Sequence, residues 1–181
     1  MIQPFATTRR FALSFGVIVL ATAVGSQPVS DPGLPLLAKA AQSVGVQRCL
    51  AAIATVSARA NTGATAQDVI LDWDHGQPDA QAFFSLTALE FGPRSAALSL
   101  TVVPEAGGGC SIMAERISGA PIACAVVAKS ELIGYVGHPL LGTVTVYANP
   151  RTPRETVTLV STPPGCLIIR RQADYNWRAA Q

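Results

Sequence analysis

Apolar and polar positions change their period twice along this chain. From Arg48 onward, Cys49, Leu50, Ile53 and Val56 recur at helical spacing. The run CLAAIATVSARANTG then stops at Asn61 and Gly63, residues that commonly close a helix. Upstream, Pro35 opens a second helical pattern through Leu36, Leu37, Ala41 and Val44. Gly45 weakens its end, so the two pieces read as one helix bent at that glycine.

In the middle of the chain the period drops to two. AFFSLTALEF and AALSLTVVP alternate, with Leu98, Leu100 and Val102 on one face and Ser99 and Thr101 on the other. Gly92-Pro93-Arg94-Ser95 between them marks a hairpin. Pro104 and the glycines at 107–109 end the second strand, and CSIMAERI offers a third. After the break Ser118-Gly119-Ala120-Pro121, PIACAVVAKSEL predicts a short helix with Ile122, Ala125, Val126 and Leu132 on one side. Strand alternation fits that segment almost as well. Beyond Gly142, TVTVYANP and ETVTLVS alternate around turn residues Asn149 to Pro153, and Pro163-Pro164-Gly165 precedes CLIIRR.

The order is helix, three strands, helix, three strands, with short connections. It predicts an α+β fold: a single antiparallel, twisted sheet of about five to six strands, with one or two helices on one face. Successive hairpins keep strand pairing local. No internal repeat is evident in the residues. The organisation expected is a leader over 1–25, a flexible stretch with a possible short helix over 26–47, and one globular domain over 48–181.

The leader rests on RRFALSFGVIVLATAVGSQP at residues 9–28. Arg9 and Arg10 precede an apolar run of about fifteen residues, shorter than the ~20 that span hydrocarbon as a helix. Ala23-Val24-Gly25 places small residues where a signal peptidase cuts, so the mature chain is expected to begin at Ser26 and to lack a membrane span. An uncleaved anchor is the competing reading of the same run. Arg9-Arg10 followed by Ala12-Leu13 also partly resembles a twin-arginine signal.

Cleavage alters the charge. The chain has 13 Lys+Arg against 11 Asp+Glu, and the leader removes Arg9 and Arg10, which leaves a formally neutral protein. General attraction to nucleic acid or anionic lipid is therefore not expected. Export also changes the reading of Cys49, Cys110, Cys124 and Cys166. Four cysteines without a C-x-x-C pair imply two disulfides in a periplasmic or secreted protein rather than a redox centre or zinc knuckle. Of three possible pairings, Cys110–Cys124 and Cys49–Cys166 are expected, the first closing a short excursion and the second tying the first helix to a late strand.

Candidate chemistry is sparse. In LDWDHGQPD, Asp72, Asp74 and His75 would offer two carboxylates and an imidazole to a divalent metal, since residues two apart on a strand share a face. The same composition describes a solvated turn. His138, in GHPLLG, sits in a loop context, and no G-x-S-x-G accompanies it. EAGGGC lacks the ending of a phosphate-binding loop. Local positive charge survives at the C-terminal end, where Arg170, Arg171, Tyr175 and Trp177 are of types suited to binding carboxylates, phosphates or a protein. Adjacency on a strand would turn Arg170 and Arg171 to opposite faces.

The sequence thus predicts an exported, disulfide-braced domain with no cofactor. It would bind a protein or a cell-envelope component through a sheet face or the Arg170, Arg171, Tyr175 and Trp177 end. The alternative is a small exported hydrolase or metal-dependent enzyme using Asp72, Asp74 and His75. A small-ligand carrier with an apolar pocket is a third reading.

Overall fold

The computed structural model describes residues 33–179, so the leader and its cleavage point lie outside the described residues. Three helices and eight strands follow in the order α1 (Leu36–Ser43), α2 (Leu50–Ala60), β1 (Ala66–Trp73), β2 (Phe83–Phe91), β3 (Arg94–Pro104), β4 (Cys110–Ala120), α3 (Cys124–Glu131), β5 (Val136–Leu141), β6 (Val144–Ala148), β7 (Glu155–Thr162) and β8 (Gly165–Trp177). All strands join one antiparallel sheet in the order β1-β2-β3-β4-β8-β7-β6-β5. The α+β class and the antiparallel sheet agree with the sequence pattern. Eight strands replace the expected five to six, and three helices replace one or two.

The two additional strands are the edges. β1 and β5 escape the pattern because neither alternates cleanly. AQDVILDW mixes exposed Asp68 and Asp72 with Ile70, which is 70% exposed, and VGHPLL is exposed along its whole length. His138 therefore lies on an edge strand and not in the expected loop. Pro139 and a register shift beside it are devices that discourage pairing with another chain.

Gly45 does interrupt the first helical region, which forms two separate helices. Its φ of +97° is left-handed, and a Cβ there would sit 3.0 Å from Pro78 Cγ. α1 buries Leu37, Ala38 and Ala41, so the packed body reaches back ahead of the expected boundary at residue 48. α2 turns Ala52, Ile53, Val56 and Ser57 inward at helical spacing. They meet Leu98, Leu100 and Val102 of β3, Phe83 and Leu89 of β2, and Ile112 and Ala114 of β4 in the larger of two cores. Fully burying side chains such as Ile53 and Leu100 stabilises by roughly 1.5–3 kcal/mol each. A smaller core gathers Val127 and Leu132 with Val157, Leu159, Cys166 and Ile168.

Although the residues show no repeat, the topology does. Each half is a helix followed by a four-strand meander: α2 with β1–β4, and α3 with β5–β8. The fourth strands β4 and β8 pair antiparallel at the centre of the sheet. Each half also carries the same brace, a cysteine at the helix N-terminus bonded to one at the start of the fourth strand. These are Cys49–Cys110 and Cys124–Cys166.

That pairing corrects the expected Cys110–Cys124 and Cys49–Cys166. Cys110 opens β4 and Cys124 follows its far end. Eleven strand residues span roughly 35 Å, whereas disulfide-bonded Cα atoms lie within about 7 Å. Cys166 pairs with Ala120 while Cys110 pairs with Trp177. Cys110 and Cys166 thus stand at opposite ends of the central seam, and Cys49 reaches only the first.

Candidate functional site

Side chains at alternate positions of β4 and β8 define the floor of a trough. On the helix-bearing face the cross-strand pairs run Ala114–Gln172, Arg116–Arg170, Ser118–Ile168 and Ala120–Cys166. α2 packs on β3 and β4, and α3 packs on β7 and β8. The seam between them stays open. Over β4 from Ala114 to Ala120 the trough is roughly 20 Å long, from the rise per strand residue.

Two cavities occupy it. One, of about 220 Å³, is lined by Val56, Arg59 and Ala60 of α2, Tyr135 after α3, and Glu155 and Val157 of β7, among others. The other, of about 680 Å³, extends toward Phe91, Arg94, Ser95, Ile122 and Glu131. Arg116 and Arg170 line both cavities, which lie to either side of this arginine pair.

The electrostatics are uneven. Arg59, Arg94, Arg116 and Arg170 border the trough, against the carboxylates Glu131 and Glu155. Arg170 donates from Nη2 to Glu131 Oε2 at 2.6 Å. Arg59 donates to the neutral Gln172 amide oxygen. Arg116 is held over the Phe91 ring, its guanidinium carbon 4.8 Å from the centroid, and its Nε is buried with no hydrogen-bond partner among the described residues. Arg171 also touches the smaller cavity but pairs with Glu115, 2.6 Å away.

The four residues expected to form one binding end are divided by the sheet. Arg170 lies on the helix face in the trough, and Trp177 packs against the larger core. Arg171 pairs with Glu115 on the opposite face, where Tyr175 is 79% exposed. The predicted split of Arg170 from Arg171 is seen. A single Arg170, Arg171, Tyr175 and Trp177 patch is not.

The Asp72, Asp74 and His75 segment is also dispersed. Asp72 faces outward at the end of β1, and the strand stops at Trp73 before the two-residue period reaches Asp74. Asp74 Oδ1 instead accepts hydrogen bonds from the Gly76 and Gln77 amides at 2.8 and 3.1 Å, the geometry of a local turn. His75 stacks on Trp73 with ring centroids 4.4 Å apart. Among the described residues no three His, Cys, Asp or Glu side chains are grouped to hold a metal ion.

Arg59, Arg116 and Tyr135 escaped the sequence reading. For Arg116 a signal existed. Extending the alternation Ile112, Ala114 in CSIMAERI puts Arg116 next on the apolar face, where an arginine is out of place. Family models, curated proteins and solved structures were each compared with the chain, and none matches. Among the described residues, no helix is long and apolar enough to cross a membrane.

Proposed function

We propose that this protein is an exported binding domain that holds an extended segment of a partner protein in the trough between α2 and α3. The observation that carries the reading is the open β4–β8 seam, flanked by two helices and floored by side chains of mixed polarity. A trough of roughly 20 Å accommodates about six residues of extended chain at ~3.3 Å each. Its walls supply apolar contact from Val56, Ala60, Tyr135 and Ile122, and its floor supplies hydrogen-bond donors, a combination suited to peptide recognition.

Export is supported by the leader pattern and by the pairing of all four cysteines, since intramolecular disulfides persist in oxidising compartments. A binding role in preference to catalysis is supported by the placement of the acid–base groups. Asp74 and His75 are engaged in a turn and a ring stack, and His138 stands on an exposed edge.

The test is selection of hexapeptides from a random library on the disulfide-intact mature domain, followed by backbone amide NMR titration. Selected peptides should shift resonances of Val56–Ala60, Ala114–Arg116 and Arg170–Gln172. Shifts confined to the outer face, around Ile70, Phe84 and Met113, would refute the trough as the site.

A further inference from the structure

Arg116 and Arg170 form an unusual pair. They stand directly opposite one another on β4 and β8, on the same face of the sheet. At that register Cβ atoms lie about 4.5–5.5 Å apart, and like charges so placed repel. Native folds commonly fill such a position with an opposite charge or two apolar side chains. Here one acid, Glu131, pairs with Arg170, while an aromatic ring holds Arg116. Arg116 enters no ion pair among the described residues, and its buried Nε has no acceptor there. Arg116 is thus a cation without a carboxylate beside a second arginine, and an anion bound from the trough would supply one to its guanidinium.

Resting on the trough reading, we infer that this arginine pair is the anchor for a carboxylate of the bound segment, an Asp or Glu side chain or a chain terminus. A carboxylate offers two oxygens with about four lone-pair positions, and the guanidinium fork matches that planar geometry. Counted around the pair, Arg59, Arg116 and Arg170 face Glu131 and Glu155, which leaves the site one negative charge short. That favours a monoanionic carboxylate over a dianionic phosphate. Arg59, held by the neutral Gln172, adds a further donor at one side. The outer-face arginine, Arg171, has its own carboxylate in Glu115 and lacks this deficit.

The experiment uses the mature, disulfide-intact domain and two fluorescein-labelled hexapeptides, one of glutamate and one of glutamine, read by anisotropy at fixed ionic strength. The glutamate peptide should bind at least tenfold tighter. Arg116→Gln should remove at least tenfold of that affinity, leave the glutamine peptide unchanged, and abolish the preference. Arg116→Lys, which keeps the charge and loses the fork, should fall between. Arg151→Gln, exposed in the turn between β6 and β7 and outside the trough, should change affinity less than threefold. Because Arg116 also packs on Phe91, Arg170→Gln serves as a second route to the same loss, and urea midpoints must match wild type for both variants.

Inorganic phosphate should displace the glutamate peptide no better than acetate; displacement tenfold better would overturn the carboxylate assignment. Equal binding of the two peptides, or an unchanged ratio in both glutamine variants, would overturn the anchor. If library peptides still map to the trough in that case, the binding site stands and only its anionic anchor is lost. Dependence on Arg171 in place of Arg116 would remove both.

Discussion

Removing the disulfides one at a time should loosen the two halves of the sheet unequally. Cys124–Cys166 closes a loop with a sequence separation of 42 residues, and Cys49–Cys110 one of 61. Chain-entropy arguments give each about 4 kcal/mol, the longer loop exceeding the shorter by only a few tenths. Their surroundings are less alike. Cys49 and Cys110 lie within the larger core, whereas Cys166 belongs to a core of six buried residues with Cys124 packed against it. The variant Cys124→Ala/Cys166→Ala should therefore release α3 and β7 locally before the rest of the sheet unfolds. In urea, with an m-value of roughly 1.5–2 kcal/mol/M, a loss of about 4 kcal/mol moves the midpoint by about 2 M or more. Amide hydrogen exchange should rise across residues 124–131 and 155–162 while β2 and β3 keep their protection. Uniform loss of protection over both halves would refute the idea of separately braced units. Non-reducing peptide maps linking Cys110 to Cys124, or Cys49 to Cys166, would refute the bonding itself.

Two further outcomes follow from the packing. Leu100→Ala, at a fully buried position in β3, should cost about 2–5 kcal/mol in equilibrium urea unfolding, because the site lies in the larger core on a strand covered by α2 and cannot collapse freely; a cost under 1 kcal/mol would contradict the placement of this strand in the core. Gly45→Ala should destabilise by more than ~1 kcal/mol in the same assay, since the left-handed φ and the approach of Pro78 both oppose a Cβ; a stabilising effect would mean that the α1–α2 turn is built differently.

The alternating strands were legible because their inward positions are apolar. Leu98, Leu100 and Val102 are buried as their spacing predicts, and the turn at Gly92–Pro93 joins β2 to β3 with Phe91 paired to Arg94. The edge strands were not legible. β5 buries nothing, so no periodic burial exists for a pattern to record. Helical periodicity located α2 but could not show that Gly45 separates it from α1, because apolar spacing is similar on both sides of the turn. The disulfide pairing failed for a geometric reason. Chain separation between Cys110 and Cys124 is small, yet the strand between them is fully extended and carries them apart. The trough lies further still from sequence reasoning, since it depends on β4 meeting β8, a pairing between residues some fifty apart. Arg116 stood out only as a charge on an apolar face; its opposition to Arg170 required the register.

The claim on which the functional account turns is that a ligand enters between α2 and α3 and not on the open face of the sheet. Photo-crosslinking tests it directly, with p-benzoylphenylalanine replacing Tyr135 at the trough wall in one protein and Tyr175 on the opposite face in another. The account predicts that library-selected peptides crosslink from position 135 and not from position 175; crosslinking from position 175 alone would contradict it.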